Sequence, residues 1–395
     1  WAAGARGQGV TIAEIDTGVD AALPEFTGRV ASGTDFGRLG GDGRIDRDRD
    51  PYGHGTSMAS IMVGRPGQFG IQGVAPDATL VPVAIPLAGT TDAQSDDRLP
   101  EAIRWAADHG AKIISMSLGG VRRHSFNRTA CPDDEQQAIY HALREGAILF
   151  AAGGNRGAGD NAVEEPGVCL GVVSVGAVDR TGAVAAFSSR HPYLTMTAPG
   201  VNIASIGPGG APFTGDGTSQ ATAIASAAAA LVWSKYPALS GSQVVARLLA
   251  TLDGRTPRPD PAYGYGRLDA YQAVRAAVPA NAPDPVATLV RPFLNQHVAV
   301  SRPVQAPAPV EHGANPPGTF TVGSAPRLFQ PRVLVAAGVA AGGLVALLLL
   351  AALSWAGRRR RRFATVTVTP LAEDQPGRHD EQHQVPRPPG PSAHT

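Results

Sequence analysis

The sequence predicts an α/β fold: a parallel β-sheet covered by helices on both faces, followed by a proline-rich linker and one C-terminal transmembrane helix. Three observations predict it. Up to about residue 278, short apolar runs alternate with stretches of helical periodicity. From Pro279 to Arg332 the periodicity fades and eleven prolines appear. From Val333 to Trp355 the chain runs 23 residues without a charge.

The expected strands are Val10–Ile15, Leu80–Ile85, Lys112–Met116, Ala147–Ala152 and Val172–Val175. Each is short and apolar, as strands buried on both faces are. Between them lie helix-like stretches at 55–64, 97–109, 133–145, 219–235 and 240–250. Strands alternating with helices form βαβ units, and such sheets place their sites beyond the carboxyl ends of the strands. Residues 1–278 are therefore expected to form one catalytic-sized domain, and 279–332 an extended, semi-rigid spacer. The run 333–355 would reach about 35 Å as a helix, enough for a hydrocarbon core of about 30 Å. Arg358 to Arg362 follow it directly. The positive-inside rule puts those arginines in the cytoplasm, so the large domain is expected outside the cell membrane and residues 356–395 inside as a tail. Gly338 and Gly342 form a G-x-x-x-G pair on that run, a spacing that supports helix pairing. The sequence from Trp1 shows no basic n-region and no apolar h-region, so any export signal is expected upstream of it.

Composition narrows the functional classes. The 395 residues are 43% hydrophobic and 17% charged, which suits a globular domain. The formal net charge of +1 gives no bias toward nucleic acid. Cys131 and Cys169 are the only cysteines. In an exported domain they are expected to pair; the other reading is two separate buried thiols.

Three short motifs carry chemistry. Ile15-Asp16-Thr17-Gly18 ends the first apolar strand, Gly53-His54-Gly55-Thr56 opens a helical stretch, and Gly217-Thr218-Ser219-Gln220-Ala221 opens the Ala-rich helix. A nucleophilic serine needs a base for its proton, and the base needs an orienting acid. A serine at a helix N-terminus also has backbone N–H groups and the positive dipole end beside it, where an oxyanion would develop. Each motif alone is weak: D-T-G occurs in aspartic proteases, and serine often starts a helix as a cap. The order Asp16, His54, Ser219 on a parallel α/β pattern is far more specific. A lipase-like elbow would need a second glycine after the serine, and Ala221 stands there.

With these motifs in place, residues 8–275 resemble the subtilases. Ile113-Ile114-Ser115-Met116-Ser117-Leu118-Gly119-Gly120 is similar to the family strand lining the substrate's P1 side, and Phe150-Ala151-Ala152-Gly153-Gly154-Asn155 to the segment ending in the oxyanion asparagine. Ala186-Phe187-Ser188-Ser189 and Thr197-Ala198-Pro199-Gly200 resemble the stretch before the nucleophile. The resemblance implies a subtilisin-like sheet and a serine endopeptidase acting through an acyl-enzyme. Ser219 would attack, His54 would move the proton, Asp16 would orient His54, and Asn155 would hold the oxyanion. The other reading of Asn155 is a turn residue after a strand. Substrate would pair along Ser117, Leu118, Gly119 and Gly120 by β-augmentation.

The linker, the C-terminal apolar run and the arginine stop also resemble the mycosins, actinobacterial subtilases tied to type VII secretion. That implies a protein or peptide substrate, a membrane anchor and a secretion-system partner. A membrane-bound scaffold of such a complex, cutting little, and a general surface subtilase are the alternatives. No cofactor is expected. Asp42, Asp46, Asp48 and Asp50 suggest calcium, but Arg44, Arg47 and Arg49 interleave with them, so a solvated, self-paired loop is expected instead. His109, His124, His141 and His191 lack metal-ligand spacing and read as surface residues.

Overall fold

The computed structural model describes residues 1, 3–37, 39–87, 98–121 and 131–296. Seven parallel strands form one sheet: β1 Thr11–Asp16, β2 Thr34–Asp35, β3 Thr79–Ala84, β4 Ile113–Met116, β5 Ile148–Ala152, β6 Val172–Val178 and β7 Met196–Pro199. Their spatial order is β2-β3-β1-β4-β5-β6-β7. A separate antiparallel pair, β8 Ile203–Ile206 and β9 Pro212–Gly215, lies outside the sheet. The helices are α1 His54–Val63, α2 Leu99–Asp108, α3 Asp133–Arg144, α4 Thr218–Lys235, α5 Gly241–Ala250, α6 Ala270–Arg275 and α7 Pro285–Gln296.

Strand alternation builds two cores. Ile12, Leu80, Ile113, Ile148 and Phe150 face one side, with α1, α4 and α5. Ala13, Ile15, Val83, Ile114, Met116 and Leu149 face the other, with α2 and α3. Successive side chains of a strand point to opposite faces, so neighbouring apolar residues serve different cores. This explains why these strands are mostly apolar and carry no solvent-facing polar side. The expected two-faced α/β sheet is thus what forms.

Helix α4 runs against β4, β5 and β6, and Ala221, Ala223, Ala225, Ala227, Ala228, Ala229 and Ala230 are all fully buried. Small side chains allow a helix to pass this close to a sheet without overpacking.

The expectation of an extended spacer from Pro279 does not hold for its first part. Residues 285–296 form α7, which packs on α3: Val290 is buried, and Phe293 stacks on Tyr140 with centroids 5.9 Å apart. Asp284 caps this helix, accepting from Ala287 N–H at 3.0 Å, and its second oxygen accepts from Ser242 of α5 at 2.8 Å. Asp-Pro at 284–285 is a helix-start signal, with Pro at the first helical position. The density of prolines around it obscured that signal. The rest of the linker, the apolar run 333–355, the arginines and the tail lie outside the described residues. Among the described residues, no helix is long and apolar enough to cross a membrane.

Candidate active site

Strand order reverses in sequence between β1 and β4, and the crevice beyond their carboxyl ends is where open α/β sheets bind ligands. Asp16 is the last residue of β1, Ser117 follows β4, and Gly153 to Asn155 follow β5. Helix α1 begins with His54. Its Nδ1 lies 2.8 Å and 2.9 Å from the two carboxylate oxygens of Asp16, which is buried. Asp16 Oδ1 also accepts from the Thr17 N–H at 2.8 Å. The acid is therefore fixed by its own backbone, and the imidazole by the acid.

Ser219 is the second residue of α4, where backbone N–H groups lack intrahelical partners. Its hydroxyl donates to the Ser117 carbonyl at 2.7 Å, and the Ser117 hydroxyl donates to the Ser219 carbonyl at 3.1 Å. This reciprocal pair ties the start of α4 to the end of β4. Asn155 is exposed, and its Oδ1 accepts both the backbone N–H and the hydroxyl of Thr218, each at 2.9 Å. These two bonds tie the Asn155 side chain to the start of α4, one residue before Ser219. An acid–imidazole pair, a serine at a helix start and an oriented amide thus converge on one crevice.

A family model described as the Subtilase family matches residues 7–266. The chain belongs to the subtilase family. Subtilisin DY of Bacillus licheniformis is 34% identical over 255 residues, covering 63% of this chain and 86% of that protein. Among solved structures, the MycP3 protease from a type VII secretion system matches with a TM-score of 0.59 and 33% identity, covering 69% of this chain and 84% of the other. MycP1 from Mycobacterium smegmatis matches with a TM-score of 0.58 and 28% identity, over 71% of this chain and 82% of the other. This subtilase is a serine endopeptidase.

The acidic loop of the subtilase differs from its expected character. Asp46 is not simply solvated: its carboxylate accepts from the Thr17 hydroxyl at 2.8 Å, the Thr56 N–H at 2.9 Å and the Thr56 hydroxyl at 2.6 Å. Asp48 accepts from the His54 N–H at 2.9 Å. Thr17 in turn accepts from the Gly55 N–H at 3.0 Å. Two aspartates and a threonine thus cap the first turn of α1 and hold His54 in place. Arg47 pairs with Asp35 at 3.2 Å, not with its aspartate neighbours. Acidic residues ahead of a helix start were the available signal, hidden by the interleaved arginines. Close approach matters here as well. A Cβ on Gly55 would lie 2.1 Å from the Gly18 carbonyl oxygen, so only glycine lets α1 sit against the loop after β1.

The electrostatics of the subtilase site follow from these carboxylates. Burial pulls the His54 pKa down, but Asp16 beside it, then Asp48 and Asp46, outweigh burial and raise it to about 9. Glu14, two residues before Asp16 on the same strand face, is fully buried, and neither of its oxygens meets a protein hydrogen-bond donor. Its pKa is raised well above the usual range, by desolvation first and then by Asp16 and Asp46.

The segment Ser117–Gly120 is only partly an open edge. Gly120 N–H donates to the Glu165 carbonyl at 3.0 Å, and Glu165 N–H returns a bond to the Gly120 carbonyl at 3.1 Å. Gly120 is thus paired within the chain. Because alternate residues of a strand point their polar groups to opposite edges, those of Gly119 face away from that pairing. Cys131 and Cys169 form a disulfide with Cα atoms 4.9 Å apart, joining the start of α3 to the loop after Glu165. Those cysteines and Glu135 are the one close group of metal-capable side chains among the described residues, and the sulfurs are bonded to each other. His191 departs from the surface reading: it is buried and stacks on Tyr193 at 4.8 Å. His141 bonds Asp108 and His109 stacks on Trp105, both near the surface, and His124 lies outside the described residues.

Proposed function

We propose that this serine endopeptidase works outside the cell membrane, anchored by residues 333–355, in the service of a type VII secretion complex. Ser219 Oγ attacks the scissile carbonyl carbon, and its proton passes to His54 Nε2. Asp16 keeps Nδ1 protonated and balances the imidazolium. The oxyanion is held by the Asn155 amide and the Ser219 N–H. The tetrahedral adduct then expels the amine, which takes the proton from His54, and water hydrolyses the acyl-enzyme by the same steps reversed. In this reading the triad, the Asn155 amide and the Ser219 N–H supply every role. The observation that carries the site is the two-oxygen contact between Asp16 and His54 Nδ1, beside a serine that starts α4.

The cellular setting rests on other support. The apolar run and Arg358–Arg362 follow the peptidase domain, and the likeness to the solved MycP3 protease of a type VII secretion system covers 69% of the chain. Residues 356–395 would then be the cytoplasmic tail.

A second reading, a membrane-bound scaffold that cuts little, draws on one observation. The Ser219 hydroxyl donates to the Ser117 carbonyl, and that bond must break before His54 can take its proton. Two measurements separate the readings. A fluorophosphonate probe should label the wild type and neither Ser219→Ala nor His54→Ala; an unlabelled but folded wild type would favour the scaffold. In the producing cell, Ser219→Ala should abolish the secretion phenotype if cutting matters and preserve it if only assembly does. A thiol-reactive probe that reaches cysteines placed in 1–278 only after cell lysis would refute the outward topology.

A further inference from the structure

We infer that Glu164 makes this endopeptidase select a lysine or arginine as the residue whose carbonyl is attacked; the inference rests on the catalytic roles proposed above. The position of that side chain follows from the site. The acyl carbon must meet Ser219 Oγ, with its oxygen between the Ser219 N–H and the Asn155 amide. Ser219 Oγ already lies 2.7 Å from the Ser117 carbonyl, so the attacked residue sits alongside Ser117–Gly119. Its side chain then enters between Gly119 on one wall and Gly154 on the other.

Glu164 stands at the inner end of that slot. The Gly120–Glu165 pairing brings its segment alongside Gly119. A Cβ on Gly119 would lie 3.1 Å from Glu164 Oε2, and one on Gly154 would lie 3.0 Å from Oε1. The carboxylate therefore bridges both walls, and glycine at both positions is what lets it lie this close to them. Gly154 has φ +110°, a conformation that favours glycine.

Among the described residues, no cation forms an ion pair with the carboxylate. Arg156, two residues past Gly154, is forked onto Asp160 with contacts of 2.6 Å and 2.5 Å. Glu164 is buried, and desolvation raises its pKa although the Asn155 N–H and the charge of Arg156 work the other way. A buried carboxylate without a counter-ion is costly, and a substrate ammonium or guanidinium supplies the missing charge. An acidic side chain would meet repulsion, and a large apolar one would cover the carboxylate without pairing it. The disulfide Cys131–Cys169 fastens the loop that follows Glu165, so the wall carrying Glu164 is anchored from behind.

The test uses the full-length chain in detergent and a peptide series differing only at this residue: Lys, Arg, Phe, Leu, Ala and Glu. The wild type should show kcat/KM at least about tenfold higher for Lys and Arg than for Phe, Leu or Ala. Glu164→Gln, nearly isosteric, should remove that preference and leave cleavage after Phe or Leu equal or faster. A wild type that prefers Phe, Leu or Ala overturns the inference, as does a Glu164→Gln variant with an unchanged Lys-to-Phe ratio. Fluorophosphonate labelling, which needs no particular side chain, runs in parallel. Labelling without basic preference sinks only this inference. A folded chain that does not label removes the proposed catalytic roles and the inference together.

Discussion

Asn155 Oδ1 accepts two hydrogen bonds from one residue, Thr218, whose backbone N–H and hydroxyl both approach to 2.9 Å. The residue before the proposed nucleophile thus aims the amide proposed to hold the oxyanion. Thr218→Val keeps the backbone bond and the shape but loses the hydroxyl. Its kcat is expected to fall up to about tenfold with KM unchanged, and Thr218→Ser to recover most of the loss. Asn155→Ala is expected to cost about 10²–10³ in kcat, by analogy with the same kind of amide in a subtilisin. Steady-state kinetics on one peptide substrate check both.

Activity and stability are expected to respond to pH in opposite directions. His54 must be neutral to act as a base, and its pKa is raised from 6.5 to about 9. The kcat/KM profile should therefore climb through an alkaline limb. The stabilisation from the Asp16–His54 ion pair is fully present below 6.5 and is lost as pH rises through about 9. Asp48→Asn removes one of the charges that raise this value, so its limb should move toward neutral pH. A profile that rises fully below pH 6.5 would contradict this account.

Glu14 is a liability at neutral pH. Its folded pKa is raised, so its contribution is least unfavourable below the ordinary value of 4.5, and the penalty grows as pH rises through the folded value. Glu14→Val places a strand-forming apolar side chain on β1 and removes two unpartnered oxygens. It is expected to stabilise the fold by about 1–3 kcal/mol at neutral pH, with the gain shrinking in acid. Denaturant midpoints at two pH values measure it.

Removing the Cys131–Cys169 disulfide opens a loop with a sequence separation of 38. Cys131→Ser with Cys169→Ser is expected to cost about 2–4 kcal/mol of stability. The variant should also lose cleavage rate more steeply on warming, because the bond fastens the wall that carries Glu164. Unfolding curves and a temperature series of initial rates follow the two effects.

Much of the fold was legible from local pattern. Five apolar runs became β1, β3, β4, β5 and β6, and five periodic stretches became α1 to α5. The edge strands β2 and β7 escaped notice because they hold two and four residues with mixed character. The helix at 285–296 was missed because proline content outweighed a single Asp-Pro start.

Motif order and spacing in the chain singled out Asp16, His54 and Ser219, while Asn155 and the Ser117–Gly120 edge came from the resemblance to the subtilases; each lies at the end of a strand or the start of a helix. Strand ends and helix starts are written in adjacent residues. The partners of those groups are not. Asp46 reaches Thr56 and Asp48 reaches His54 across a loop, Thr218 reaches Asn155 across 63 positions, and Glu164 faces Gly119 across 45 positions of sequence. Such contacts depend on which strands become neighbours in the sheet. Chain folding therefore settles which carboxylate caps, which one orients and which one waits for a cation, since burial and distance set the charge and no local pattern encodes either.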